Sequence, residues 1–325
     1  MENFTLAMPA TIEAVLAAGQ QADAKFIAGG TDLLQLMKDH VERPKHLVDL
    51  EGLPLDTFSI DADGARIGAL VRMSDLADDP TLRRQYPVVT EALLASASPQ
   101  VRNMATIGGN LLQRTRCGYF RDVGFPACNK RQPGSGCGAI LGLNRLHAVL
   151  GGSDFCVATH ASDLAVALAA LDATIEVQGG NGARAVPINE FYLLPANTPQ
   201  RETVLAPGEI ITAVLVPPPG SGERSHYLKL RDRASFEFAL VSAAVVVAVE
   251  DGRIRRARVA MGGVGTKPWR LPAVEAALAG TAVTQEALTS AAAHAAEGAR
   301  PLNENGFKVP LMQRALARAL LNVTA

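Results

Sequence analysis

The sequence predicts an α+β protein of two domains, and three observations predict it. Short apolar runs alternate with stretches of helical period through the first two-thirds of the chain, as in α/β lobes. A proline- and glycine-rich stretch, "PPPGSGERS" (217–225), then interrupts all regular patterning and reads as a linker. Beyond it, two β-rich runs meet at "EDGR" and three helical patterns close the chain. The expected division is 1–220 and 221–325, the first domain holding lobes at about 1–55 and 56–220.

Taken in order, Thr11 can cap a helix over "IEAVLAAG" that closes at Gly19. "AKFIAGGTDLLQLMKDH" (24–40) reads as a short strand, a diglycine turn and a helix capped by Thr31, with Leu33, Leu34 and Met37 facing inward. "HLVDL" (46–50) and "ARIGAL" (65–70) are strands, Ser74 opens a short helix, and "PVVTEALLASA" (87–97) is a longer one. After the glycine-rich turn "ATIGGN" (105–110), residues 111–161 show no sustained period and are rich in Gly, Pro, Arg and Asn, which predicts an ordered loop or an insertion. Regular structure resumes in "SDLAVALAALDATIEVQ" (162–178), a helix capped by Ser162 and then a strand. "EIITAVLVPPP" (209–219) is a strand stopped by prolines, and "HYLKLR" (226–231) is the first strand past the linker. The closing helices are "LPAVEAALAG" (271–280), "TQEALTSAAAHAAEGA" (284–299) and "VPLMQRALARALLNV" (309–323).

Composition narrows the function. A net charge of −1 over 325 residues argues against a general nucleic-acid binder, which normally carries a clear basic excess. The longest apolar run, "FALVSAAVVVAV" (238–249), is strand-sized rather than membrane-sized. No basic leader precedes an apolar run at the N-terminus, so no secretory signal is expected; the compartment is cytoplasmic, or periplasmic by export with a signal-bearing partner. A reducing compartment disfavours disulfides.

Three stretches have phosphate-binding character. "AGGTDLL" (28–34) is a strand–turn–helix junction whose glycines let backbone amides approach an anion; its plainer reading is a tight turn. "ATIGGN" has the same character, and "SDLAVAL" adds a helix cap with an acid. "GSGCGA" (134–139) fits the dinucleotide pattern by spelling alone, because "CNKRQP" and not a strand precedes it. None of the six histidines has metal-ligand spacing, although His160 follows Cys156 by four residues.

All four cysteines fall in one window, spaced C-x10-C-x8-C-x18-C. Structural zinc usually takes close C-x2-4-C pairs, and iron–sulfur clusters tolerate wider gaps; Arg114, Arg116, Lys130 and Arg131 would offset the charge of a thiolate cluster. Spacing alone leaves a cluster, a zinc site and unbound thiols open.

"KFIAGGTDLL", "ATIGGNLLQRTRC", "HASDLAVAL", "LAPGEIITAVLVPPP", "KLRDRASFEFALVSAA" and "VAMGGVGTKPWR" together resemble, in order, the flavin-binding medium subunit of the molybdenum hydroxylases, the family of xanthine and carbon monoxide dehydrogenases. The resemblance spans essentially the whole chain. It implies a two-lobed FAD-binding domain of the vanillyl-alcohol-oxidase type, followed by a C-terminal α+β domain of the carbon monoxide dehydrogenase flavoprotein type. It also implies that Phe26, Ile27, Ala28, Gly29, Gly30, Thr31, Asp32 and Leu33, with Thr106, Gly108, Gly109 and Asn110, cradle the FAD pyrophosphate. Asp163 is implied near the sugar or adenosine end, and Lys229 near the isoalloxazine ring. Most members run almost directly from "TIGGN" to "SD". Here residues 111–161 intervene, resembling an insertion in the aldehyde oxidoreductase and 4-hydroxybenzoyl-CoA reductase subgroups that carries one 4Fe-4S cluster. Cys117, Cys128, Cys137 and Cys156 are then its implied ligands.

The function so implied is electron transfer without a general acid or base on this chain. Hydroxylation would occur on a large molybdopterin subunit, electrons would arrive through a small subunit with two 2Fe-2S clusters, and FAD would pass them to oxygen, a ferredoxin or a quinone-like acceptor. An aldehyde oxidoreductase is favoured over a 4-hydroxybenzoyl-CoA reductase-like or xanthine dehydrogenase-like complex. The rival of another class is a non-catalytic accessory protein that binds zinc and a nucleotide.

Overall fold

A computed structural model describes all 325 residues. Three sheets, each continuous in sequence apart from one long excursion, organise the chain. The first holds β1 (Thr5–Ala7), β2 (Ala24–Ile27) and β3 (His46–Asp49), parallel in the order β1-β3-β2. Parallel neighbours need crossovers, and two helices supply them. Ile12–Gly19 is capped by the Thr11 side chain, which accepts from the Ala14 amide, as the sequence indicates.

The second crossover differs from expectation. Helix Leu33–Lys38 begins one residue later than expected, with Asp32 and not Thr31 at its N-cap, and no side chain caps it. Gly30 is in the left-handed region (φ 67°), and the turn extends past Thr31 before helical geometry begins. The shift rotates the buried face: Leu36 and Met37 point inward, while Leu34 is exposed.

The second sheet holds β4 (Phe58–Asp61), β5 (Gly64–Gly68), β6 (Thr174–Gly179), β7 (Gly182–Pro187) and β8 (Ile210–Val216), antiparallel in the order β4-β5-β8-β6-β7. Strand β6 alternates inward and outward along its length, the pattern of a sheet with one packed face. Helices Pro87–Ala95 and Asp163–Ala170 cover it, the latter buried along its whole length and capped by Ser162 Oγ, which accepts from the Ala165 amide. The expected strand at 65–70 stops at Gly68, because Ala69 turns its carbonyl to the Gly108 amide instead of extending the ladder. Strands β1, β4 and β7 escape the sequence reading, being short or exposed on both sides.

The third sheet holds β9 (Glu223–Leu230), β10 (Val241–Glu250), β11 (Arg253–Gly262) and β12 (Trp269–Arg270), ordered β12-β11-β10-β9. Asp251 and Gly252 both have positive φ, 50° and 70°, which makes the two-residue β10–β11 connection a twist-compatible hairpin turn. Strand β10 is apolar on both faces for a reason: Val241, Ala243, Val245 and Val247 enter the C-terminal core, while Ala244 and Val246 enter the helical layer. Helices Pro272–Leu278, Gln285–Ala293 and Lys308–Thr324 close that core. The linker is shorter than the composition suggests, since β9 already begins at Glu223, whose carboxylate accepts from the Gly220 amide and pairs with Arg258 at 2.7 Å. No helix is long and apolar enough to cross a membrane.

Residues 111–161 form the excursion between helix Ile107–Leu111 and helix Asp163–Ala170. They contain single helical turns at Gly118–Arg121 and Gly138–Leu141 and isolated bridges, Cys128 to Cys137 and Ser153 to Cys156 within the segment and Leu150 to Gly265 outside it.

Candidate functional site: a flavin cleft and a thiol nest

The first two sheets face each other across a cleft of ≈ 1090 Å³, at the large end for small-molecule sites. Its floor is the turn after β2, and Phe26, Ile27, Ala28, Gly29, Gly30, Thr31, Asp32 and Leu33 all line it, with Thr106, Gly108 and Gly109 opposite. The two diglycine turns do different work. No group of the chain accepts a hydrogen bond from the amides of Gly29, Gly30 and Thr31, so these donors stay free at the helix entrance. The Ile107, Gly108 and Gly109 amides, by contrast, already donate to Val71 O, Ala69 O and Thr106 Oγ1. That turn offers space, not donors: a Cβ on Gly109 would meet only the Thr106 hydroxyl, at 2.9 Å, and would project into otherwise open room. At Gly29 the constraint is internal, because a Cβ would lie 1.8 Å from the Met104 carbonyl.

Three other expected residues do not line the cleft. Asn110 is buried, accepting from Ser162 Oγ at 2.6 Å and donating to Met73 Sδ at 3.4 Å. Asp163 and Lys229 pair with each other at 2.8 Å, nearly fully buried. Asp163 also accepts from Tyr227 Oη at 2.6 Å and Ser96 Oγ at 3.0 Å, a saturated carboxylate that ties helix Asp163–Ala170 to the third sheet.

All four cysteines line one small, mostly apolar cavity with Phe120, Ala139 and Phe155. None is in a disulfide. No three His, Cys, Asp or Glu side chains converge as a single metal ion requires. A four-iron core would present a separate iron to each thiolate, and the four cysteines do share one cavity lining; at ≈ 10 Å³ that cavity has room for about one water, so a cluster would have to push the thiols apart. Burial pushes the Cys117 thiol up to about 12, with the nearby Cys156 and Cys128 adding to it, and burial also raises Cys156 against the opposing pull of Lys130. Such thiols stay protonated without a metal and ionise on binding one.

Charged side chains join the two places. Asp32, at the rim of the cleft, spends its carboxylate on the insertion: it accepts from the Arg114 amide at 2.8 Å and pairs with Arg116 and Arg121 at 2.6 Å each. Burial pulls Arg116 down to about 10 in spite of that partner. Glu202 pairs with Lys130 at 2.7 Å and with Arg114, which also holds Glu42 at 2.6 Å. Arg131 donates to the Tyr119 and Phe120 carbonyls at 2.7 and 2.9 Å, clamping the turn behind Cys117. A smaller chamber of ≈ 200 Å³, walled by Arg114, Lys130, Cys156, His160 and Glu202, borders both the cleft and the nest.

Residues 2–219 match the family described as the FAD binding domain in molybdopterin dehydrogenase, and residues 226–323 match the carbon monoxide dehydrogenase flavoprotein C-terminal domain. The chain belongs to this family. It is 51% identical over 315 residues to the aldehyde oxidoreductase FAD-binding subunit PaoB of Escherichia coli, covering 96% of this chain and 95% of that one. It is 29% identical to the carbon monoxide dehydrogenase medium chain of Afipia carboxidovorans, over 83% of this chain and 77% of the relative. Among solved structures, a carbon monoxide dehydrogenase from Hydrogenophaga pseudoflava superposes with a TM-score of 0.77 at 28% identity, over 99% of this chain and 97% of that one.

Family membership makes FAD the resident cofactor, and the cleft fits it: three free amides for a pyrophosphate, open room at Gly109, and length for a dinucleotide. The far wall, Gln200–Ile211, combines an irregular stretch with the start of the motif "LAPGEIITAVLVPPP". Only the β8 register brings it over the turn at 28–33.

Proposed function

We propose that this chain is the FAD- and 4Fe-4S-carrying subunit of a heterotrimeric molybdenum hydroxylase acting on aldehydes. The observation that carries the reading is the convergence of Cys117, Cys128, Cys137 and Cys156 on one cavity, joined by ion pairs to a cleft of the FAD-binding family. The partners are a large molybdopterin subunit and a small subunit with two 2Fe-2S clusters; the acceptor is a ferredoxin, oxygen or a quinone-like dye. High identity to an aldehyde oxidoreductase FAD-binding subunit supports the substrate class, and export would depend on a partner.

When bound, FAD exchanges electrons singly or in pairs and the cluster exchanges them singly. The residues of this chain position both groups. The Gly29, Gly30 and Thr31 amides would hold the pyrophosphate, and Gly109 would admit it by lacking a side chain. Cys117, Cys128, Cys137 and Cys156 would hold the cluster as thiolates, with Lys130 beside Cys156 favouring its charged form. The Asp163–Lys229 pair ties helix Asp163–Ala170 to the third sheet, and neither residue is part of the cleft lining.

Metal and sulfide analysis of the complex, co-expressed with its partners and purified anaerobically, tests the reading. The expected content is one FAD and four irons with four sulfides beyond those of the small subunit. One zinc in their place, or no excess iron, overturns the cluster. With a matched aldehyde, dyes or a ferredoxin should be reduced much faster than NAD; equal NADH formation overturns the acceptor assignment.

A further inference from the structure

His147 is a side chain outside the thiol set that reaches a candidate ligand: its Nε2 lies 3.2 Å from Cys117 Sγ. The C-terminal domain fixes its backbone. Asn305 Nδ2 donates to the His147 and Ala148 carbonyls at 3.2 and 3.3 Å. Lys308, fully buried, donates to the carbonyls of Leu146 and His147 at 3.0 Å each and of Gly263 at 2.6 Å, one acceptor for each ammonium proton. This clamp fixes the backbone from which the imidazole projects.

The other ring nitrogen decides the tautomer. His147 Nδ1 is buried and has no partner. A proton on Nε2 gives the sulfur a donor and leaves one acceptor idle. Once a cluster has taken the Cys117 proton, a proton on Nδ1 would strand a buried donor and set a lone pair against the thiolate, which is worse on both counts.

We propose that His147 Nε2–H donates to the Cys117 sulfur and raises the potential at which the four-iron cluster accepts its electron. Negative charge gained by the cluster spreads onto its sulfurs, and a donor stabilises it there. One electron enters, supplied by dithionite in the test, and no bond forms or breaks. His147 is therefore a tuning residue that acts through Cys117, and the proposal rests on the cluster reading above.

The test is a redox titration of the cluster, followed by electron paramagnetic resonance, in the full complex carrying His147→Leu or His147→Gln. The leucine variant should keep iron and FAD but require a lower potential for reduction, and glutamine, which restores an N–H, should return most of the shift. Proton ENDOR of the unsubstituted complex should show an exchangeable coupling that the leucine variant lacks. Unchanged potentials in both variants, or no exchangeable coupling in the unsubstituted protein, overturns the donor role. A complex with no excess iron before any substitution instead overturns the cluster reading, so the two failures are distinct.

Discussion

The flavin cleft and the thiol nest lie side by side but are built by opposite means. The cleft is made of backbone: amides of Gly29, Gly30 and Thr31, and glycines whose missing side chains leave room. The nest is made of side chains held in a segment with almost no regular structure, and it keeps its shape through contacts lent by neighbours. Asp32 and Glu202 anchor it from the FAD domain, and Asn305 and Lys308 from the C-terminal domain. The cleft can therefore outlast the nest, whereas the nest depends on everything around it.

The sharpest break in that asymmetry is Cys128→Ser. It should abolish the four excess irons and expose the insertion to proteolysis, while most of the flavin absorbance remains, because Gly29, Gly30, Thr31 and Gly109 lie outside the window. Loss of both cofactors together would show that the regions fold as one unit. Next come two valines in the cleft. Gly29→Val drives a Cβ into the Met104 carbonyl and should cost about 3 kcal/mol of stability as well as the FAD. Gly109→Val faces open room, so thermal melting should change little, by less than about 1 kcal/mol, while FAD occupancy drops. Equal melting losses in the two would mean that Gly109 is structural too.

Lys308→Met should remove about 3 kcal/mol by leaving three carbonyls without their donor, and the loss should appear first as faster hydrogen exchange at 144–148. The smallest effect concerns Glu202. Burial pushes its carboxyl up, but Arg114 and Lys130 outweigh burial and hold it below the ordinary range. A depressed carboxyl stabilises the fold above its unfolded pKa of about 4.5, and that contribution is lost as pH falls through the folded value. Iron release to a chelator should therefore accelerate as pH falls below that unfolded value. Glu202→Gln should release iron about fivefold faster at pH 7, equivalent to ~1 kcal/mol, and flatten the acid dependence.

What the sequence declared is what depends on local chemistry. The Thr11 and Ser162 caps, the Asp251–Gly252 hairpin and the doubly apolar β10 were legible, because each is set by a few adjacent residues. So was the resemblance, carried by motifs spread along the whole chain. The start of helix Leu33–Lys38 was misread because Asp32, a fair cap by type, gives its carboxylate to arginines more than 80 positions later. Asp163 and Lys229 look like ligand residues in isolation, yet they satisfy each other across a domain boundary.

By itself the sequence placed glycines where a backbone must come close and four thiols in one window, while only the resemblance implied FAD and a four-iron cluster for them. Tertiary structure alone decided which amides remain free, since a donor is free only if no distant carbonyl reaches it. It also decided that the thiols share a cavity, because gaps of 8 to 18 residues fix no distance until Arg131, Glu202 and Lys308 fold the segment back on itself.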